Sequence, residues 1–122
     1  MNDNEKRDEL RRFLNENRER IQELASQSGD GFRQLMEGVD CVRRGDDKEA
    51  LICFYAAILK KCDTPRLYIE ADGVLRRYGM VEEEINILKK GLGCIRENTG
   101  HAMNRSARLK KAEDALKQAN NE

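Results

Sequence analysis

Apolar residues recur along the chain in six stretches at the three- and four-residue spacing of a helix face, and polar or glycine-bearing breaks separate them. Over residues 4–25 the stripe is Leu10, Phe13, Leu14, Ile21 and Leu24, and the run Ser-Gln-Ser-Gly-Asp-Gly at 26–31 ends it. A second helix, about 31–44, carries Phe32, Leu35, Met36, Val39 and Val42, with Gly45 placed to cap its C-terminus. The third, from Asp47 to about Lys61, puts Ala50, Leu51, Phe54, Ala57 and Ile58 on one buried face. Thr64 as N-cap and Pro65 in the first turn mark the next start. That helix reaches Tyr78 and stops at Gly79, a fifth spans Val81 to Arg96, and Asn98-Thr99-Gly100 ends it. A sixth, about 102–120, shows Leu109, Ala112, Leu116 and Ala119 on a narrow stripe. No segment alternates with period two over a useful length. The expected class is therefore all-α, about six helices without a sheet.

One pattern occurs twice. GDDKEALICFYAAI at 45–58 returns as GMVEEEINILKKGL at 79–92, so that 34 positions separate Gly45 from Gly79, Ala50 from Glu84, Phe54 from Leu88 and Ala57 from Gly91. A fixed period with a glycine between two helices predicts stacked helical hairpins. Small residues such as Ala57 and Gly91 let helices approach, and Phe54 and Leu88 fill the space between them.

This spacing resembles the tetratricopeptide repeat, whose pattern has a small residue early in the first helix, a glycine at the turn, then alanine, aromatic and alanine down the second helix. Over 31–64 the matching residues are Gly38, Gly45, Ala50, Phe54 and Ala57. Over 65–98, Gly79 and Gly91 fit, Leu75 and Leu88 replace aromatics, and Glu84 stands where alanine is usual. The resemblance covers roughly 68 of the 122 residues. It implies a right-handed array of helical hairpins with capping helices at both ends. It also implies a concave groove, lined by the first helix of each hairpin, that takes a peptide or helix of a partner protein. The exposed positions so implied are Leu35, Val39, Val42 and Arg43 in the first hairpin and Ile69, Gly73, Arg76 and Arg77 in the second, with Arg66 near the edge. An apolar floor beside arginines suits an amphipathic or acidic segment, because arginine pairs bidentately with carboxylates. The Lys and Asn pattern of the carboxylate-clamp members is not reproduced at these positions.

The flanking helices leave the pattern. The positions 34 before Ala50, Phe54 and Ala57 are Glu16, Arg20 and Glu23, which cannot be core equivalents. The chain therefore divides into residues 1–28, a charged amphipathic helix acting as cap or arm, and residues 29–122, the repeat-like domain with a C-terminal capping helix whose polar face solvates the end of the stack. Leu10, Leu14, Asn17, Ile21 and Leu24 recur at 4, 3, 4 and 3, a heptad-like seam with one asparagine that could fix register. The alternative reading is accordingly a self-assembling structural protein, a homodimer joined through this N-terminal helix. The short turn at 26–31 favours instead a helix that folds back on the hairpins of its own chain.

Composition narrows the function. Charged residues make up 38% and aromatics 5%, with no Trp and a single Pro, a helix-favouring balance. Lys plus Arg equals Asp plus Glu at 23, so the chain lacks the basic excess that draws nucleic acid. The pairs Arg11-Arg12, Arg43-Arg44 and Arg76-Arg77 are interleaved with acids, and few aromatics are available for stacking on bases. Nucleic acid is thus not an expected partner. The charged start has no signal-like apolar region, and the longest apolar run, 50–59, has core-helix length, so a soluble cytoplasmic protein without membrane contact is expected. Cysteines at 41, 53, 62 and 94 form no C-x-x-C pair, which argues against structural zinc, and Cys41 and Cys53 fall on apolar faces as buried free thiols. His101 reads as a surface or capping residue. The acids at 82–84 suit the first turn of a helix through its dipole, without metal or acid–base chemistry. Gly91-Leu92-Gly93 has no preceding strand and no phosphate-loop pattern. The sequon Asn104-Arg105-Ser106 means little without a secretory signal. The expectation is a non-enzymatic adaptor that needs no cofactor and no metal.

Overall fold

The run of apolar residues at 50–59 sets the architecture. In the computed structural model, which describes residues 2–62, 64–96, 110 and 113–118, this run lies in helix α4 (Asp47–Leu59). Ala50, Leu51, Ile52, Cys53, Phe54, Ala56, Ala57 and Ile58 of α4 are all buried. One apolar face was expected, but a helix that is apolar all round must be covered on every side. The covers are α1 (Asp3–Glu16), α2 (Arg18–Ser26), α3 (Phe32–Arg43) and α5 (Pro65–Arg77), each packed against α4. Helix α6 (Val81–Arg96) pairs with α5. Residues 113–118 are also helical, and the described residues contain no strand. The protein is all-α.

The main core joins Leu10 of α1 to Leu35 and Val39 of α3, Leu51 and Phe54 of α4, and Leu67 and Leu75 of α5. A second cluster on the other side of α4 brings Ile21 of α2 against Ile52 and Ala56. The apolar seam of the N-terminal segment therefore packs within the chain: Leu10 is 0% exposed and Ile21 8%.

That segment is two helices where the periodicity predicts one over 4–25. Asn17 leaves helical geometry at φ −106° and ψ 19°. Its side-chain Nδ2 donates to the Phe13 carbonyl at 2.8 Å, the acceptor its own backbone N–H also uses at 3.1 Å. An asparagine that bonds the backbone one turn back competes with the helix ladder and bends it. Asn17 is thus a joint that turns Ile21 onto α4. At the far end of α2, Lys60 donates to the carbonyls of Ala25 and Gln27 and ties the helix terminus to the end of α4.

Three turns share one hydrogen-bond pattern. After α3, Gly45 (φ +79°) donates to Val42 O and Asp46 to Cys41 O. After α5, Gly79 (φ +67°) donates to Arg76 O and Met80 to Leu75 O. After α4, the same pair of bonds runs from Lys61 to Ile58 O and from Cys62 to Ala57 O, although Lys61 (φ +59°) is not glycine. Each satisfies two carbonyls that a helix end leaves open. Asp46 caps the start of α4, accepting from Glu49 N–H at 3.2 Å. Thr64 stands at the N-cap position of α5 with Pro65 first in the helix, as expected, but its side chain makes no capping hydrogen bond.

Within the hairpins, aromatic rings lie on glycines. A Cβ on Gly38 would fall 2.4 Å from Phe54 Cε1, and one on Gly91 would fall 2.7 Å from Tyr68 Cγ. The buried Tyr68 hydroxyl donates to Cys62 O at 2.9 Å. Leu116, in the helical stretch 113–118, packs on the cluster that Ile85 and Leu88 of α6 form. Leu109, Ala112, Ala119, His101 and the sequon at 104–106 lie outside the described residues, and Cys94 falls within α6.

Candidate functional site

The groove expected along α3 and α5 does not have an open apolar floor. Leu35 is 0% and Val39 3% exposed, both inside the main core, and Val42 is half-buried against it. This corrects the expectation of exposed positions here. Helical spacing reveals an apolar face but not what covers it, and the apolar face of α3 is turned to α4 of the same chain. The arginines of the expected set are also engaged by acids of this chain. Arg43 lies 3.9 Å from Asp40, Arg66 3.4 Å from Glu70, and Arg77 2.8 Å from Asp47. Arg76 reaches Asp72 at 3.6 Å and Glu84 at 3.0 Å. Ile69, 43% exposed, and Gly73, with open space over its Cα, do face outward on α5.

An open cleft lies elsewhere, between α1 and α2 on one side and the C-terminal part of α4 and α6 on the other. Its volume is about 570 Å³. Leu14, Ile21, Tyr55, Ile58, Leu59 and Met80 supply its apolar floor. Leu59 is 49% exposed at the last position of α4. Burial raises the Tyr55 phenol above its ordinary range, so it stays neutral.

The rim is cationic. Arg11, Arg18 and Lys90 line the cleft together with Glu83. Arg11 grips Glu83 with both arms of its guanidinium, Nε at 2.9 Å and Nη2 at 3.1 Å, and so fastens α1 to α6. Arg18 donates only to Asn15 Oδ1, at 3.4 Å, and neither it nor Lys90 has an ion-pair partner among the described residues. The cleft thus offers aliphatic and aromatic surface beside two cations that no carboxylate among the described residues pairs with. Sequence reasoning did not find it, since its walls come from residues 11–22, 55–59 and 80–90. The signal it left was the excess of apolar residues at 50–59 over what one covered face requires.

The remaining chemistry is quiet. Cys41, Cys53 and Cys62 are buried free thiols, and burial pushes Cys53 up to about 12, which leaves it protonated and unreactive. Among the described residues no three His, Cys, Asp or Glu side chains come together as a metal site, and no helix is long and apolar enough to cross a membrane. Among the described residues the buried acids are Asp72 on α5 and Glu84 at the start of α6. Comparison with protein-family models, with curated proteins and with solved structures finds no match to this chain.

Proposed function

We propose that this protein is a non-enzymatic interaction module whose cleft between α1, α2, α4 and α6 binds an amphipathic helical segment of a partner protein, apolar on one side and flanked by Asp or Glu. The observation that carries this reading is the pairing of an open apolar floor with Arg18 and Lys90, cations that have no carboxylate partner among the described residues. A helix laid into an apolar groove gains most of its affinity from a few buried anchors, and the charges beside them select its flanks. A cleft of about 570 Å³ holds a few such side chains. The reading keeps the two hairpins as degenerate tetratricopeptide-like repeats used as an adaptor, and moves the contact surface from the face of α3 and α5 to the opposite side of α4. The cytoplasm suits such a module, because its buried thiols stay reduced there.

The test is fluorescence anisotropy with two synthetic amphipathic helices, one of Leu and Glu and one of Leu and Lys. Binding of the Leu/Glu helix alone is expected, weakened by added salt and by Arg18→Glu with Lys90→Glu, and lost in Leu59→Glu. Equal binding of both helices, or binding that Leu59→Glu leaves intact, would remove the cleft as the contact surface. Sedimentation as a dimer that Leu59→Glu converts to a monomer would instead assign the cleft to a second copy of the chain.

A further inference from the structure

Two adjoining hollows lie where α1 and α4 begin and α5 finishes. The larger, about 390 Å³, is lined by Lys6, Glu9, Asp47, Lys48, Arg77 and Tyr78. The smaller, about 170 Å³, is lined by Lys6, Arg76, Arg77, Tyr78 and Gly79. Lys6, Arg77 and Tyr78 belong to both, and neither hollow shares a lining residue with the cleft between α1, α2, α4 and α6. Three cations and no carboxylate line the smaller one.

The acids around this group hold the cations in place without using all their donors. Glu84 accepts from Arg76 Nε at 3.0 Å, and Asp72 Oδ2 lies 3.6 Å from Arg76 Nη2. Asp47 accepts from Arg77 Nη2 at 2.8 Å, and Glu9 accepts from Lys48 at 2.9 Å. Arg76 and Arg77 nevertheless remain 44% and 51% exposed. Among the described residues nothing accepts from Arg77 Nε, Arg77 Nη1 or the exposed Lys6 ammonium. A guanidinium carries five donors in one plane, so an acid at one edge also aims the edge left over. The carbonyls of Leu75 and Arg76 at the end of α5, which would repel an anion, accept from the N–H groups of Tyr78, Gly79 and Met80. Gly79 (φ +67°) has open space over its Cα, so a ligand can come close to the backbone there.

We infer that the smaller hollow is a binding site for a single phosphoryl group, held between Lys6 of α1 and Arg76 and Arg77 of α5, with the larger hollow leaving room for whatever carries it. A phosphomonoester brings about −1.5 to −2 charges and three acceptor oxygens at pH 7, which suits cations converging from two helices. A carboxylate brings one charge and two oxygens, no more than Asp47 and Glu84 already supply to these arginines. The phosphoryl group therefore gains where a further carboxylate does not. Glu9 and Asp47 in the larger hollow repel a second phosphoryl group and limit the ligand to one. The site stands apart from the cleft and does not depend on its use.

The test is a proton–nitrogen NMR titration of the intact protein with inorganic phosphate and with a short phosphoserine peptide. The same peptide carrying serine or glutamate at that position serves as control. Saturable shifts at Lys6, Arg77 and Gly79 are expected with the phosphate-bearing probes alone, and added salt should weaken them. A peptide that binds more tightly than free phosphate identifies a phosphorylated side chain as the ligand, and the reverse identifies the free ion. Lys6→Glu changes an exposed side chain and should leave the fold intact while weakening both probes by about tenfold or more. Lys6→Arg should restore binding. No saturation, equal shifts with the glutamate peptide, or full affinity in Lys6→Glu would overturn the site.

Discussion

Lys61 holds a backbone conformation that L-residues avoid, because the left-handed region brings Cβ against the following carbonyl. It keeps that conformation because its N–H and that of Cys62 close the end of α4 on Ile58 O and Ala57 O. Lys61→Gly should relieve the clash and raise stability by about 0.5–1 kcal/mol, the gain offset in part by glycine's greater freedom when unfolded. Urea unfolding checks it through the midpoint at unchanged slope. Gly45 and Gly79 were legible as turns because glycine is the residue that this conformation favours. Lys61 left no such mark, since a lysine side chain says nothing about its φ. Leu35 and Val39 were legible as apolar but not as internal, because the same spacing serves a core and a docking floor.

Helix contacts in both hairpins depend on an absent Cβ. Phe54 is fully buried and its ring rests on Gly38, while Tyr68 rests on Gly91 and is held by its bond to Cys62 O. Neither ring has room to retreat. Gly38→Ala and Gly91→Ala should each overpack their hairpin and cost on the order of 1–3 kcal/mol, seen as a lower thermal midpoint without loss of helicity at 20 °C or so. Among elements, helix existence and turn positions followed from periodicity and glycine placement. The break at Asn17 did not, because its cause is a side-chain bond to Phe13 O, while the apolar stripe runs on through it. The cleft was equally hidden, since it is a space between segments far apart in sequence and has no local pattern to carry it.

At the scale of the molecule, α1 and α2 hold the fold closed. They bury Leu10 and Ile21, cover Ile52 and Ala56, and reach across to other elements through Arg11–Glu83, Arg20–Glu49 and Lys48–Glu9. The ion pairs are open to solvent on one side and worth on the order of 1 kcal/mol each, so the apolar cover decides the outcome. Deleting residues 2–26 should strip one side of α4 and one wall of the cleft. The truncated chain is expected to lose cooperative melting and to self-associate, as circular dichroism and sedimentation would report. A truncation that melts cooperatively as a monomer would mean that α3 to α6 suffice for the fold.

The central position of α4 also has a consequence in time. A ribosome releases the chain from its N-terminus, so α4 can meet α1, α2 and α3 before α5 and α6 exist. At about 5–20 residues per second, the 37 residues from 60 to 96 follow over roughly 2–7 s. For that interval the side of α4 destined for α5 faces water or whatever apolar surface arrives first. The nascent chain is then most open to chaperones and to its neighbours on the same message.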